Sequence, residues 1–444
     1  MRKLFYAILL VLMFPLAVNA QYISNSYFMD ASAERLSLNP ALKPVRGFVS
    51  IPVVGAFHID AATNLPDYNE ISGILDGDIE SITNTLMDKL EPVTSLDLNL
   101  NTAPISFGFY AGKNFFTVNV NTRSEINAQV PKTVFEFIQD VNNENITGNH
   151  KYSIINQNFG LNLFSEVGVG YARTIADRLT IGGKFKMLLG MAKFDLNVNR
   201  LEVDGYFPDP DDFDYNDPNI YDNINDKVYA KIVTDTELKL SGKGFNLKEN
   251  EDGYISDVEL DEFGIGGFGA AIDLGVHFKV TDNFDISASV IDLGFIKWNE
   301  ENTTVYQAKN SFQANNIEEL ELFDFNIFGL NNGINQSLKS NLASTLAVAG
   351  EYRILEDKLG FGLLSTTRFV KEKTKSKLSA IVTYRPTHAI NVSLSYTTLG
   401  GYNSLGGALK LGPLFIGTDY IMSKTEKRAN AYLGISIPIG PKHI

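Results

Sequence analysis

The residues that could do chemistry are poorly spaced for it. The five histidines, His58, His150, His277, His388 and His443, show no metal-ligand spacing, and the chain has no cysteine. Disulfides, thiolate zinc sites and cysteine nucleophiles are therefore excluded. Neither a Gly-x-Ser-x-Gly elbow nor a phosphate-binding loop occurs. The stretch Lys248 to Glu259 places Asn250, Asp252, Gly253, Ile255, Ser256 and Glu259 at the offsets of a calcium loop, yet Lys248 puts a cation where the first carboxylate belongs. Seven aspartates between Asp209 and Asp226 read as a solvated acidic loop, with cation binding as the sharper alternative. Glu166 and Asp273 would serve as acid and base only if brought together. A structural network with Arg123, Lys184 and Lys186 suits them better, so neither an enzyme nor a cofactor is expected.

The elements that must position these groups follow from composition and pattern. The 444 residues are 44% hydrophobic and 20% charged, with 30 Phe and 19 Tyr, which is a folded composition rather than a disordered one. A mean hydropathy of -0.05 and the lack of a long apolar run after the N-terminus exclude a bundle of membrane helices. A net charge of -14 argues against a nucleic-acid partner. At the N-terminus, Arg2 and Lys3, an apolar stretch from Leu4 to Leu16 and the small-residue site Val18-Asn19-Ala20 form a signal peptide cleaved after Ala20. The expected organisation is residues 1–20 as signal, 21–46 as an N-terminal plug and 47–444 as the folded body.

From Gly47 onward, period-two alternation dominates, which predicts an all-β fold. Between Gly264 and Val280, one parity carries Phe268, Ala270, Ile272, Leu274, Val276, Phe278 and Val280, while Asp273, His277 and Lys279 share the other. Asn119, Asn121, Arg123 and Glu125 share a face in the same way. A soluble sandwich would show the same local pattern. Strand length separates the two readings, because Asn158 to Thr174 and Leu179 to Val198 are long enough to cross a bilayer at a tilt. Tight turns also alternate with long polar insertions at Asn199 to Asp226, Ser241 to Phe263 and Ala314 to Asn341. The expectation is a transmembrane antiparallel β-barrel of about fourteen strands in outer-membrane lipid, with long extracellular loops. Asn119, Arg123, Glu125, Glu166, Lys184, Asp273, His277 and Lys279 are its expected lumen-facing polar residues. The alternation changes phase at Gly190 and between Val290 and Asp292, which predicts β-bulges or exits from the bilayer.

Ahead of the first strand, Asn39-Pro40-Ala41 forms a turn-prone motif in a segment rich in Tyr22, Tyr27, Phe28, Leu36 and Leu38. Arg35 and Glu34 are expected to pair with Glu166 and Lys184. The Asn-Pro-Ala motif resembles that of FadL-type fatty-acid transporters and PorV-type outer-membrane proteins. Asn39 to Gly55 and Ser289 to Trp298 are most similar to an uncharacterised Bacteroidota branch of that group. The resemblance implies a fourteen-stranded barrel with the N-terminal segment in its lumen. It also implies one of two functions: passage of a small hydrophobic molecule, or docking of a secretion or surface protein partner. A helix with apolar spacing at Ile79, Ile82, Leu86 and Leu90 could cap a pocket, which ranks passage first.

Overall fold

The computed structural model describes residues 24–50, 55–64, 87–141, 147–209, 227–249, 255–316, 319, 330, 332–370, 374–399, 402–419 and 427–443. The signal segment, most of the helix expected between Ile71 and Leu90, and the acidic loop after Asp209 lie outside them. The strands in chain order are β1 Gly47–Ser50, β2 Ala56–Thr63, β3 Val93–Ala111, β4 Asn114–Pro131, β5 Gly148–Ala176, β6 Leu179–Phe207, β7 Tyr229–Glu249, β8 Ile255–Gly264, β9 Gly267–Lys279 and β10 Phe284–Trp298. They continue as β11 Thr303–Ala314, β12 Ile334–Asn335, β13 Leu338–Asn341, β14 Ser344–Ile354, β15 Leu359–Phe369, β16 Thr374–Thr387, β17 Ile390–Leu399, β18 Tyr402–Leu411, β19 Leu414–Thr418 and β20 Lys427–Ile439. One helix, α1 (Lys132–Val141), separates β4 from β5.

Antiparallel pairing closes these strands into a ring of fourteen staves. β1 and β2 make one broken stave that pairs with β3 on one side and with the last strand, β20, on the other. The ring continues through β4, β5, β6, β9, β10 and β14 to β20. Tight turns such as those at Gly112 and Gly412, both at positive φ, gather at one end, here the turn end. The longer connections gather at the opposite, loop end.

β6 is the strand that departs from a simple ring. Its first half, Leu179 to Gly190, pairs with β9, whereas Ala192 to Tyr206 pairs with β7, which in turn pairs with β11. The sheet therefore forks, and small residues make the fork possible. A Cβ on Gly242 would stand 2.6 Å from the Met191 carbonyl oxygen, and one on Gly266 would stand 2.7 Å from Gly242 Cα. Trp298, fully buried, fills the angle above Gly190 and donates its indole N–H to Ser340 Oγ at 2.9 Å. Both phase changes read from the sequence are bulges. Met191 is skipped between the Leu163/Ala192 and Phe164/Gly190 pairs, and Asp292 is skipped at φ 59°.

The strands run further toward the loop end than alternation alone predicts. β5 and β6 each span 29 residues, and their outer reaches are held by cross-strand pairs such as Lys151 Nζ to Asp204 Oδ2 at 2.8 Å. Ser241 to Phe263, expected as a polar loop, is instead a hairpin in which β7 continues and pairs with β8. The calcium-like stretch sits across this hairpin, with residues 250–254 outside the described set.

Register fixes which side chains share a face. On the outward parity of the ring, large apolar residues stand bare, among them Leu274 at 55% exposure, Phe185, Phe268, Leu394 and Leu405. Above the fork, the same parity continues through Leu161, Phe194 and Leu240, and through Phe159, Leu196, Leu238 and Tyr306. There it is covered: Leu238 is 3% exposed and Leu240 2%, packed with Val134 of α1, Phe245 and Leu247 of the hairpin, and Leu330.

Candidate functional site

The lumen is the candidate site, and residues 24–46 occupy it. The segment opens with a 3-10 turn, Ser24–Ser26, and a second, Ala33–Ser37, is capped by Ser32 Oγ accepting from the Glu34 N–H. Its upper end is tied toward the loop end by Lys377 Nζ donating to Ser24 Oγ at 2.7 Å. Asn25 donates to Asp419, and Ser393 Oγ donates to the Asn25 carbonyl at 2.8 Å. Its lower end is tied at the turn end, where Tyr110 donates to the Pro44 carbonyl at 2.6 Å and the His443 N–H to that of Val45 at 2.9 Å.

Asn39-Pro40-Ala41 forms the middle anchor. Asn39 Oδ1 accepts from the Ala41 N–H at 2.9 Å, while Nδ2 donates toward the carbonyls of Val276 and Ala288, both at 3.3 Å. Such a residue satisfies both its own turn and the wall it touches. Ser289 Oγ donates to the Leu38 carbonyl at 2.6 Å. The wall makes room with glycine, since a Cβ on Gly275 would collide with Asn39 Oδ1, one on Gly182 with Pro40, and one on Gly362 with the Phe28 ring. The trace this leaves in the sequence is glycine on the lumen parity.

Apolar contacts complete the fit. Tyr27, Phe28, Leu38 and Leu42 pack on Ile291, Ala347, Ala349, Leu364 and Ile381 of the wall, and Leu36 packs on Phe48, Phe115 and Ala172. The Tyr27 hydroxyl bonds Ser287 Oγ at 2.9 Å, and burial pushes its pKa up, keeping it protonated.

Charges fill the remaining lumen in two groups. In the middle, Arg123 bridges Glu166 Oε2 at 3.1 Å and Asp292 Oδ2 at 2.8 Å. Lys186 Nζ joins Asp292 Oδ1 at 2.6 Å to Asp273 Oδ2 at 2.7 Å. Asp292 lies in this group because the bulge turns it inward, and its N–H donates to Asp273 Oδ1 at 2.8 Å. Asn121 donates to Glu166 Oε1 at 2.6 Å, with Asn119 at 3.5 Å from the same oxygen. Lys184 stands nearby, lining a small gap beside Leu36 and Pro40. Nearer the turn end, His277, Asp285, Arg353, Glu351 and Arg385 form a chain of ion pairs that ends on the Phe28 carbonyl, 2.7 Å from Arg385 Nη2.

These contacts place the eight residues read as lumen-facing. Arg123, Glu166 and Asp273 meet in the central group, with Asn119 and Lys184 beside it. His277 belongs to the second group, and Lys279 stands exposed at the turn-end rim. Glu125 pairs across the lumen with Arg368 Nη2 at 3.1 Å, and Asp97 pairs with Lys375 Nζ at 2.8 Å, each from the opposite wall. Asp292 and the cross-lumen partners were not legible from spacing, since their contacts join distant strands. The pairing expected for Arg35 and Glu34 is corrected. Glu34 Oε2 lies 3.5 Å from His58 Nε2. Burial pulls the Arg35 pKa down, and Asp30 and Glu351 oppose that pull. The 3-10 turn at Ala33–Ser37 points both residues away from Glu166 and Lys184. Among the described residues, no group of three or more His, Asp or Glu could hold a metal ion.

A family model described as a family of unknown function, DUF5723, matches residues 40–419. The chain matches no curated protein. Among solved structures, the toluene transporter TbuX of Ralstonia pickettii is 10% identical, with 94% of each chain covered and a TM-score of 0.47. The toluene transporter TodX of P. putida is 8% identical over 96% of each chain at a TM-score of 0.39. A Pseudomonas aeruginosa FadL homologue is 8% identical over 95% of this chain and 98% of its own, at a TM-score of 0.32. At such scores, the fold rests on the strand register itself.

Proposed function

This chain belongs to the family of unknown function DUF5723, and we propose that it is an outer-membrane barrel passing small hydrophobic molecules, with residues 24–46 as a movable plug. Residues 1–20 direct export and are cleaved. The bare apolar belt and the division into a turn end and a loop end support the membrane placement, with tight turns on the periplasmic side. One observation carries the substrate class. Tyr27, Phe28, Leu38 and Leu42 occupy an apolar patch of Ile291, Ala347, Ala349, Leu364 and Ile381, the largest of the apolar patches the segment covers, in a lumen that also carries two groups of charged side chains. When the segment shifts, that patch is the surface left for an apolar ligand, and the surrounding charges keep one another neutralised.

Deleting Gln21 to Ser37 behind an intact signal tests this reading. The shortened protein should fold, conduct more than the intact one in planar bilayers and bind an apolar fluorescent probe that Leu364→Asp then abolishes. A folded, shortened barrel that neither conducts more nor binds the probe would sink it. Docking of a secretion or surface protein would then become the better account.

A further inference from the structure

We propose that the turn end of the barrel carries an anion site centred on Lys410, taking the carboxylate or phosphate group of a small solute. The site requires neither the apolar patch nor any movement of the N-terminal segment, although Asp30 and Arg46 of that segment line it.

A basin of about 550 Å³ opens at the turn end beneath the plug, within the size range of small-molecule sites. Lys410, at the inward-facing end of β18, lines it and is 4% exposed. Among the described residues, its ammonium has one partner, the Gly412 carbonyl, and no carboxylate. Other buried cations in this lumen are treated differently: Lys186 has Asp273 and Asp292, and Arg385 has Glu351. A buried ammonium held by a neutral acceptor alone is destabilising, and an anion brought to it removes that cost.

The rest of the basin favours the same sign. Arg46, Lys442 and His388 also line it, and among the described residues Arg46 and Lys442 make no ion pair. Three acidic residues, Asp30, Glu356 and Asp357, line the basin against the cations Arg46, Lys358, Arg385, Lys410 and Lys442, and Asp30 Oδ1 has no hydrogen-bond partner. Glu356 Oε2 lies 3.2 Å from Lys358 Nζ, and Asp30 Oδ1 lies 3.8 Å from Arg385 Nε. Asp357 is the remaining carboxylate, and its own carbonyl accepts from Arg385 Nη1 at 3.2 Å. Glu356 and Asp357 stand on the β14–β15 hairpin turn, which Leu355, Glu356 and Asp357 make in consecutive left-handed conformations, at φ of 56°, 54° and 65°.

The test uses the full-length protein in a zwitterionic detergent, titrated with citrate and with inorganic phosphate by calorimetry and ³¹P line broadening. Saturable binding is expected. It should weaken about tenfold or more in Lys410→Met, the loss of one charge-assisted hydrogen bond, and to a smaller degree in the double variant Arg46→Gln, Lys442→Gln. The double variant lies on exposed positions, so it reads the site even if Lys410→Met does not fold. Vesicles containing phosphatidylglycerol separate the two sources of phosphate. Citrate binding unchanged by these vesicles supports a free solute. Absence of saturable binding by both anions, binding indifferent to both variants, or binding only of the vesicles would overturn the proposal.

Discussion

The outward face of the ring and its continuation above the fork share a parity and a composition, yet they meet opposite surroundings. Leu274 and its neighbours on β9 stand bare, whereas Leu238 and Leu240 lie under α1, Leu330 and the β7–β8 hairpin. Sequence alternation alone does not distinguish a leucine meant for lipid from one meant for protein. The fork at Gly190, Gly242 and Gly266 marks the change: above it the chain covers itself, and below it, on the outer-membrane reading proposed above, acyl chains would cover the sheet. That reading puts the loop-side edge of the membrane at Trp298 on this flank of the barrel.

The largest expected effect separates the two regions directly. Leu238→Ala should cost about 2 to 5 kcal/mol, because a cavity opens in packed protein. Leu274→Ala should cost less than about 1 kcal/mol, because lipid fills the space it leaves. Urea titration in lipid vesicles measures both, and equal losses would erase the distinction. Charge gives the converse contrast. Ile272→Arg on the bare belt should cost about 2 to 4 kcal/mol near the bilayer midplane, whereas Val233→Arg, on the opposite, lumen parity of β7, should stay within about 0.5 kcal/mol. Comparable penalties would show that the facing has been misread above the fork.

A finer probe is Trp298, the chain's single tryptophan. Its emission should be blue-shifted and weakly quenched by brominated acyl chains, while a tryptophan introduced by Leu274→Trp in a Trp298→Phe background should be quenched strongly. Strong quenching of Trp298 itself would move the membrane edge above the fork. The smallest effect belongs to the cross-lumen pairs at the loop end. Arg368→Gln should cost about 1 kcal/mol or less, since both partners are partly wet, and 1 M salt should remove most of the difference. A larger, salt-independent loss would mean that Glu125 and Arg368 act as a buried pair.

Much of the belt was legible in advance because an outward face stripped of polar groups imposes one rule on every strand. Ile272, Leu274 and Val276 announce their side by alternating with Asp273 and His277, and the phase changes at Gly190 and Asp292 announce the bulges. The cover over Leu238 was not legible, since it depends on the hairpin after Gly242 folding back, and Ser241 to Phe263 reads as a polar loop. Within the lumen, Arg123 and Glu166 were read onto one face from alternation, and Asp292 meets them through an unusual φ that no spacing encodes. Glu34 found His58 rather than Lys184 because a five-residue 3-10 turn sets its direction, and a turn that short leaves little periodic trace. The glycines at 182, 275 and 362 were visible as letters, and only a segment lying against them gives them meaning.

The seam of the ring joins the first stave to the last strand, β1 and β2 to β20, across nearly the whole length of the chain. The segment just ahead of β1 is held at Asn25 by Asp419, beside that same seam. Entry of the segment and sealing of the wall are therefore steps of one assembly event, since a closed cylinder offers a tethered strand no side entrance. A barrel refolded without residues 21–46 should accordingly fail to take up that peptide when it is supplied afterwards, although the same peptide present during refolding is captured. Ready uptake by the finished barrel would show that the wall opens after it has formed.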